Sequence, residues 1–131
     1  MNTKVMFSSM SDEWRTPQSL FDKLDKEFNF DSDPCPMGNK KLKKGIINGV
    51  WIKRAFVNPP YSKIKDWVLQ GWIHGQHNNV VVVMLIPSRT DTKWWHDYVM
   101  KAKEIRFIKG RLKFSGHKNS APFPSAIVIF K

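Results

Sequence analysis

Three stretches of the 131-residue chain close an apolar run with polar side chains beside a proline: DSDPCP at 31–36, NPPYS at 58–62 and PSRTD at 87–91. Between them they offer three carboxylates, a side-chain amide, a phenol and a guanidinium, on backbone that proline stiffens. Groups of this kind hold and orient a polar ligand through hydrogen bonds. In open α/β sheets ligands sit in the crevice beyond the carboxyl ends of the strands, so three such endings aimed at one rim form a candidate site. The four histidines, His74, His77, His96 and His117, have no ligand spacing with carboxylates or cysteine, which argues against metal catalysis.

The elements that would carry these endings follow from periodicity. Thr16 as N-cap and Pro17 at the first helical position, with Leu20, Phe21, Leu24 and Phe28 on one face, predict a helix over 17–27. FNFDSD (28–33) alternates as a short strand that stops at Pro34. Residues 38–54 read as a basic loop with at most a small hairpin at Asn48-Gly49, and 55–58 as a strand closed by Pro59 and Pro60. Ser62 can cap a helix over 63–76, in which Ile64, Trp67, Val68 and Trp72 keep helical spacing. VVVVMLI (80–86) is an unbroken apolar run, the pattern of a strand covered on both faces in a parallel sheet. Thr90 or Asp91 can cap a third helix with Trp94, Trp95, Tyr98, Val99 and Ala102 inward. Strands at 105–108 and 126–130, with a further candidate at 111–114, complete an α/β sandwich with a largely parallel sheet.

Composition limits what such a fold can be. A chain of 131 residues fits one domain, 1–131, burying about two-thirds of its unfolded surface, with residues 1–12 loosely ordered. With 41% hydrophobic residues, 13% aromatics and six tryptophans, the chain has the apolar surface that disordered chains lack. No apolar run has membrane-spanning length and no secretory h-region opens the chain, which points to a cytoplasmic protein. The single cysteine, Cys35, forms no intrachain disulfide and suits a reducing compartment. Residues 1–33 hold four Lys/Arg and seven Asp/Glu, a net of −3; residues 34–131 hold eighteen and four, a net of +14. A basic body accompanied by aromatics favours a nucleic-acid partner, through phosphate neutralisation and base stacking.

The stretch NPPY resembles the catalytic motif of the amino-methyltransferases of DNA. The wider chain is similar to the small phage-type DNA adenine methyltransferases of the Dam group: DEWRTPQSLFDKLDKEFNFDSDPC, FVNPPYS, LIPSRTDTKWWH, IRFIKGRLKF and APFPSAIVIF follow that family's order and spacing from Asp12 to Phe130. The resemblance implies a compact Rossmann-like sandwich, mostly parallel, with helices on both faces, and S-adenosylmethionine as methyl donor. Adenine's exocyclic amine is a poor nucleophile because its lone pair is delocalised into the ring. Accepting its hydrogens on the Asn58 side-chain oxygen and the Pro59 carbonyl would localise that pair; Pro60 fixes the turn, and Tyr61 offers a face for a swung-out base. Asn58 favours adenine over the cytosine amine, because cytosine-amine enzymes more often carry serine there.

For the cofactor the resemblance implies Asp31, Asp33 and Pro34 at the first strand's end, with Thr16 and Pro17 upstream; Asp33 would accept from the methionine ammonium. FDSDPCPMGNK lacks the G-x-G turn of the common methyltransferase signature, and a lysine loop stands where a helix usually follows. A catalytically silent DNA-binding remnant is therefore the alternative, beside a transferase acting on cytosine amine, RNA or protein glutamine. Pro34-Cys35 invites comparison with cytosine-ring enzymes, but these need a glutamate in E-N-V, and Glu13, Glu27 and Glu104 lie in DEW, KEF and KEI. Cys35 reads as a packed thiol. DNA contacts are expected from Lys40, Lys41, Lys43, Lys44, Arg89, Lys109, Arg111 and Lys113. Little room remains for a separate target-recognition domain, so specificity should be short or loose unless a second subunit contributes, in a monomer or weak homodimer.

Overall fold

The computed structural model describes residues 14–35 and 53–131. The expected loose N-terminus, the Asn48-Gly49 hairpin and the candidate DNA contacts Lys40, Lys41, Lys43 and Lys44 lie outside the described residues.

Helix α1 (Gln18–Phe28) follows the expected apolar stripe, and Pro17, not Thr16, occupies its N-cap position. No side chain caps this end; Pro17 instead accepts from the Phe21 N–H at 3.0 Å. The helix stops at Asn29, which turns left-handed at φ 54° and donates its N–H to the Asp25 carbonyl. That cap consumes the start of the strand expected at 28–33. What remains is an extended passage in which Ser32 bridges Ala55 in parallel.

The sheet contains β1 (Arg54–Val57), β2 (Val81–Pro87), β3 (Glu104–Phe107) and β4 (Ser125–Phe130), in the order β1-β2-β4-β3. β1 and β2 are parallel, whereas β4 is antiparallel to both β2 and β3. The expectation of a largely parallel sheet is thus corrected. Parallel neighbours need a long crossover. Residues 108–124 return from β3 to β4 as a loop without one, so β4 runs backwards between two strands that share a direction. The candidate strand at 111–114 belongs to that loop; near it, only Ser115 pairs, in an isolated bridge to Arg15.

Helix α2 (Ile64–Gly75) is preceded by a 3-10 turn, Tyr61–Lys63. Ser62 lies within this turn, and Lys63 takes the N-cap position without a side-chain bond, contrary to the expected Ser62 cap. The third helix, α3 (Lys93–Asp97), is capped by Thr92, whose hydroxyl accepts from the Trp95 N–H, and it passes into a 3-10 turn at Val99–Lys101.

Alternation along the strands builds two apolar layers. Val82, Met84, Ile86, Ala126, Val128 and Phe130 face α2 and α3, packing on Trp67, Val68, Trp95 and Val99. Phe56, Val83, Leu85, Ile127 and Ile129 face α1, packing on Leu20, Phe21 and Leu24. Helices therefore cover both faces, which is why VVVVMLI and AIVIF lack polar alternation. α2 comes unusually close. A Cβ on Gly75 would lie 2.5 Å from the Phe130 Cβ, and one on Gly71 would lie 2.6 Å from the Met84 sulfur.

Candidate active site

β1 and β2 run side by side, so the motifs that follow them, Asn58–Ser62 and Ser88–Asp91, leave the same rim. The parallel bridge at Ser32 brings Asp33 and Pro34 there too. The three polar strand endings thus leave one edge of the sheet, and of them the cleft described below takes Asp33, Cys35 and Asn58.

Asn58 is 9% exposed, and its Nδ2 donates to the Trp14 carbonyl and, at 3.0 Å, to the Thr16 hydroxyl. A carbonyl can only accept, so the atom facing Trp14 must be the amide nitrogen. Oδ1 is consequently turned away, and it is buried without a partner among the described residues. An unpaired buried acceptor is costly unless something supplies a donor. Pro59 and Pro60 are buried beside it, and the Pro60 carbonyl accepts from the Lys63 N–H, closing the turn.

Tyr61 lies nearly parallel to Trp14, with centroids 6.5 Å apart, and edge-on to Phe123 at 5.5 Å. His117 stacks on Trp14 at 4.4 Å. Burial pushes the Tyr61 phenol well above its ordinary range, opposed by the nearby Arg89 guanidinium. Its hydroxyl has no partner among the described residues, nor have the hydroxyls of Ser88 and Ser125, which flank the junction of β2 and β4. Polar atoms left unpaired at one rim suit a ligand that carries both donors and acceptors.

A cleft of about 390 Å³, lined by Thr16, Gln18, Phe21, Asp33, Cys35, Phe56 and Asn58, with Arg15 and Ser115 at its margin, opens against the amide. Its size is in the range of small-molecule sites, about 300–1,000 Å³. Asp33 is exposed, but protein on its inner side removes water and raises its carboxyl to about 6, with the Cys35 N–H pulling the other way. Cys35 is partly buried against the core. Asp31 does not share this cleft. It accepts from the Arg54 N–H at 2.9 Å, pairs with the Arg54 guanidinium and lines a neighbouring hollow. Pro17 is half-buried at the head of α1 and Pro34 is buried.

Basic side chains ring the same rim. Arg89 follows β2, and Lys109, Arg111, Lys113 and Lys118 lie on the loop from β3 to β4; all five are exposed. That loop is pinned to the site: the Ser115 N–H donates to the Arg15 carbonyl, its hydroxyl donates to the Thr16 carbonyl, and Phe114 is buried against Trp14. The tryptophans expected in the core are there, with Trp67, Trp94 and Trp95 buried and Trp72 packed at its edge. Among the described residues no group of three His, Cys, Asp or Glu could hold a metal. No helix among them is long and apolar enough to cross a membrane.

A family model for DNA N-6-adenine-methyltransferase (Dam) matches residues 3–131. The chain belongs to the Dam family of DNA adenine methyltransferases. It is also similar to the DNA N-6-adenine-methyltransferase of Haemophilus phage HP1, at 33% identity over 99% of this chain and 83% of the phage protein. No solved structure matches it. Reasoning from this Dam-family sequence missed Trp14, Arg15, Ser115, His117 and Phe123 at the site. Trp14 and Arg15 stand inside DEWRTP, just before the first helix, where their order in sequence carried a signal; the contacts of the other three arise only when the loop folds back.

Proposed function

We propose that the protein transfers a methyl group from S-adenosylmethionine to the N6 amine of adenine in DNA, with Asn58 at the reacting centre. The observation that carries this reading is the orientation of Asn58, which lines the cleft: Nδ2 is held by Trp14 and Thr16, while Oδ1 is buried with no partner among the described residues. An acceptor fixed before the substrate arrives stabilises the transition state without reorganising. Oδ1, with the Pro59 carbonyl, would accept the amine hydrogens and return electron density to the nitrogen. The Tyr61 ring, braced by Trp14 and Phe123, would give the extruded base an apolar face.

The donor fits the other side of the cleft. Asp33 with Pro34 would take its ammonium, the Thr16–Pro17 segment would border it, and Phe21 and Phe56 would supply apolar wall. Its sulfonium supplies an activated methyl; the protein binds, aligns and excludes water. Asp31, occupied by Arg54, would stiffen the approach rather than touch the donor. Arg89, Lys109, Arg111 and Lys113 would grip phosphates around the rim, and the location is cytoplasmic.

The test is transfer of tritiated methyl to DNA followed by nucleoside analysis. N6-methyladenine is expected as product, and Asn58→Ala should abolish it while the variant still melts cooperatively. Label in cytosine, in RNA or in protein would reject the acceptor. Absence of binding heat with S-adenosylmethionine, beside salt-sensitive DNA binding, would instead favour a silent DNA-binding remnant.

A further inference from the structure

Asn58 works only one way round. Rotating its amide by half a turn exchanges oxygen for NH2, which places donor against donor at the substrate amine. The Trp14 carbonyl opposes that rotation because it can only accept, and the Thr16 hydroxyl, which accepts from the same Nδ2, holds the plane of the amide. They lie more than forty residues upstream of Asn58, in the segment leading into α1. That segment is itself held from the far side, because Arg15 and Thr16 offer their carbonyls to the N–H and hydroxyl of Ser115.

We infer that Thr16 is a positioning residue, its hydroxyl holding the plane of the Asn58 amide while the Trp14 carbonyl fixes which end is nitrogen. The inference rests on the site reading above and deepens it, since it moves Thr16 from the donor to the acceptor. A Thr16 that only lined the donor's pocket would have no reason to accept from Asn58. Trp14 alone cannot fix the amide as firmly, because a single hydrogen bond leaves the NH2 free to swing about it. The Thr16 methyl group is dispensable here and the hydroxyl is not.

The variants Thr16→Val and Thr16→Ser separate the two roles. In Thr16→Val, kcat for methyl transfer should fall about 10–100-fold, the scale of a misplaced reacting group. The S-adenosylmethionine Kd measured by calorimetry should stay within about twofold, and Thr16→Ser should restore kcat. An unchanged kcat in Thr16→Val, or a raised Kd at constant kcat, overturns the clamp. A second readout needs no turnover. In the 15N-labelled wild-type protein the Asn58 side-chain NH2 should exchange with solvent far more slowly than that of exposed Asn119; equal rates overturn the clamp even if Thr16→Val does not fold. An active Thr16→Val beside an inactive Asn58→Ala rejects the clamp alone. Full activity in Asn58→Ala rejects the site on which it rests.

Discussion

At the scale of the residue, Asp33 shows how a binding group can weaken the fold that carries it. Its folded carboxyl keeps a proton up to about pH 6, whereas the ordinary value is 3.8. Between those values the folded chain binds more protons than the unfolded one, so stability falls as pH rises through that window and stays lowered above it. Asp33→Asn should therefore raise Tm at pH 7 and leave it unchanged at pH 3, as calorimetric melts would show. The same change should weaken S-adenosylmethionine binding, and wild-type affinity should climb from pH 5 to pH 7 as the carboxylate forms. Tyr61 offers a second case: its buried, unpartnered hydroxyl makes Tyr61→Phe neutral or stabilising by about 1 kcal/mol, read from denaturant melts. Tyr61→Ala removes the ring and should abolish transfer.

At the scale of the element, the paired glycines of α2 set how closely the helix lies on the sheet. Gly75→Ala would force its Cβ onto the Phe130 Cβ and carbonyl carbon, and overpacking of this sort costs about 1–3 kcal/mol. A lowered midpoint in urea at unchanged slope would confirm it. Most elements were legible in the sequence because their apolar positions are local: the stripe of α1, the spacing of Trp67 and Val68, and the unbroken run of β2. Strand direction was not. Nothing in AIVIF distinguishes a strand entered through a crossover helix from one entered through the 108–124 loop, since both are buried on two faces. The capping hydroxyls were misassigned for a related reason. Thr16 can cap a helix, but the Asn58 amide competes for it from a distance that no local pattern encodes.

At the scale of the whole molecule, charge is laid out by rim. Exposed Arg89 is expected to contact phosphate, so Arg89→Ala should weaken DNA binding across all sequences and reduce the slope of log K against log salt by about one. Fluorescence anisotropy with duplexes of differing sequence would measure both. The opposite treatment is given to the sheet edge. On β3, Arg106 is bound by Glu27 of α1 and by Glu104, which sets fixed charges along an otherwise open strand. These pairs are exposed and add little to stability. Their effect is to discourage edge-to-edge pairing.

The reversed strand has a consequence for how such a molecule can change. Phe107 and Ala126 are opposite one another across β3 and β4, so the basic excursion departs and returns at adjacent points. Phe114 and Ser115 hook it to the amide clamp, Ala121 is buried, and His117 and Phe123 pack on Trp14, so its freedom lies in the exposed stretches 109–111 and 118–120. Those two stretches are replaceable cassettes: new target preferences can be grafted there while the ring contacts that brace Tyr61 are kept.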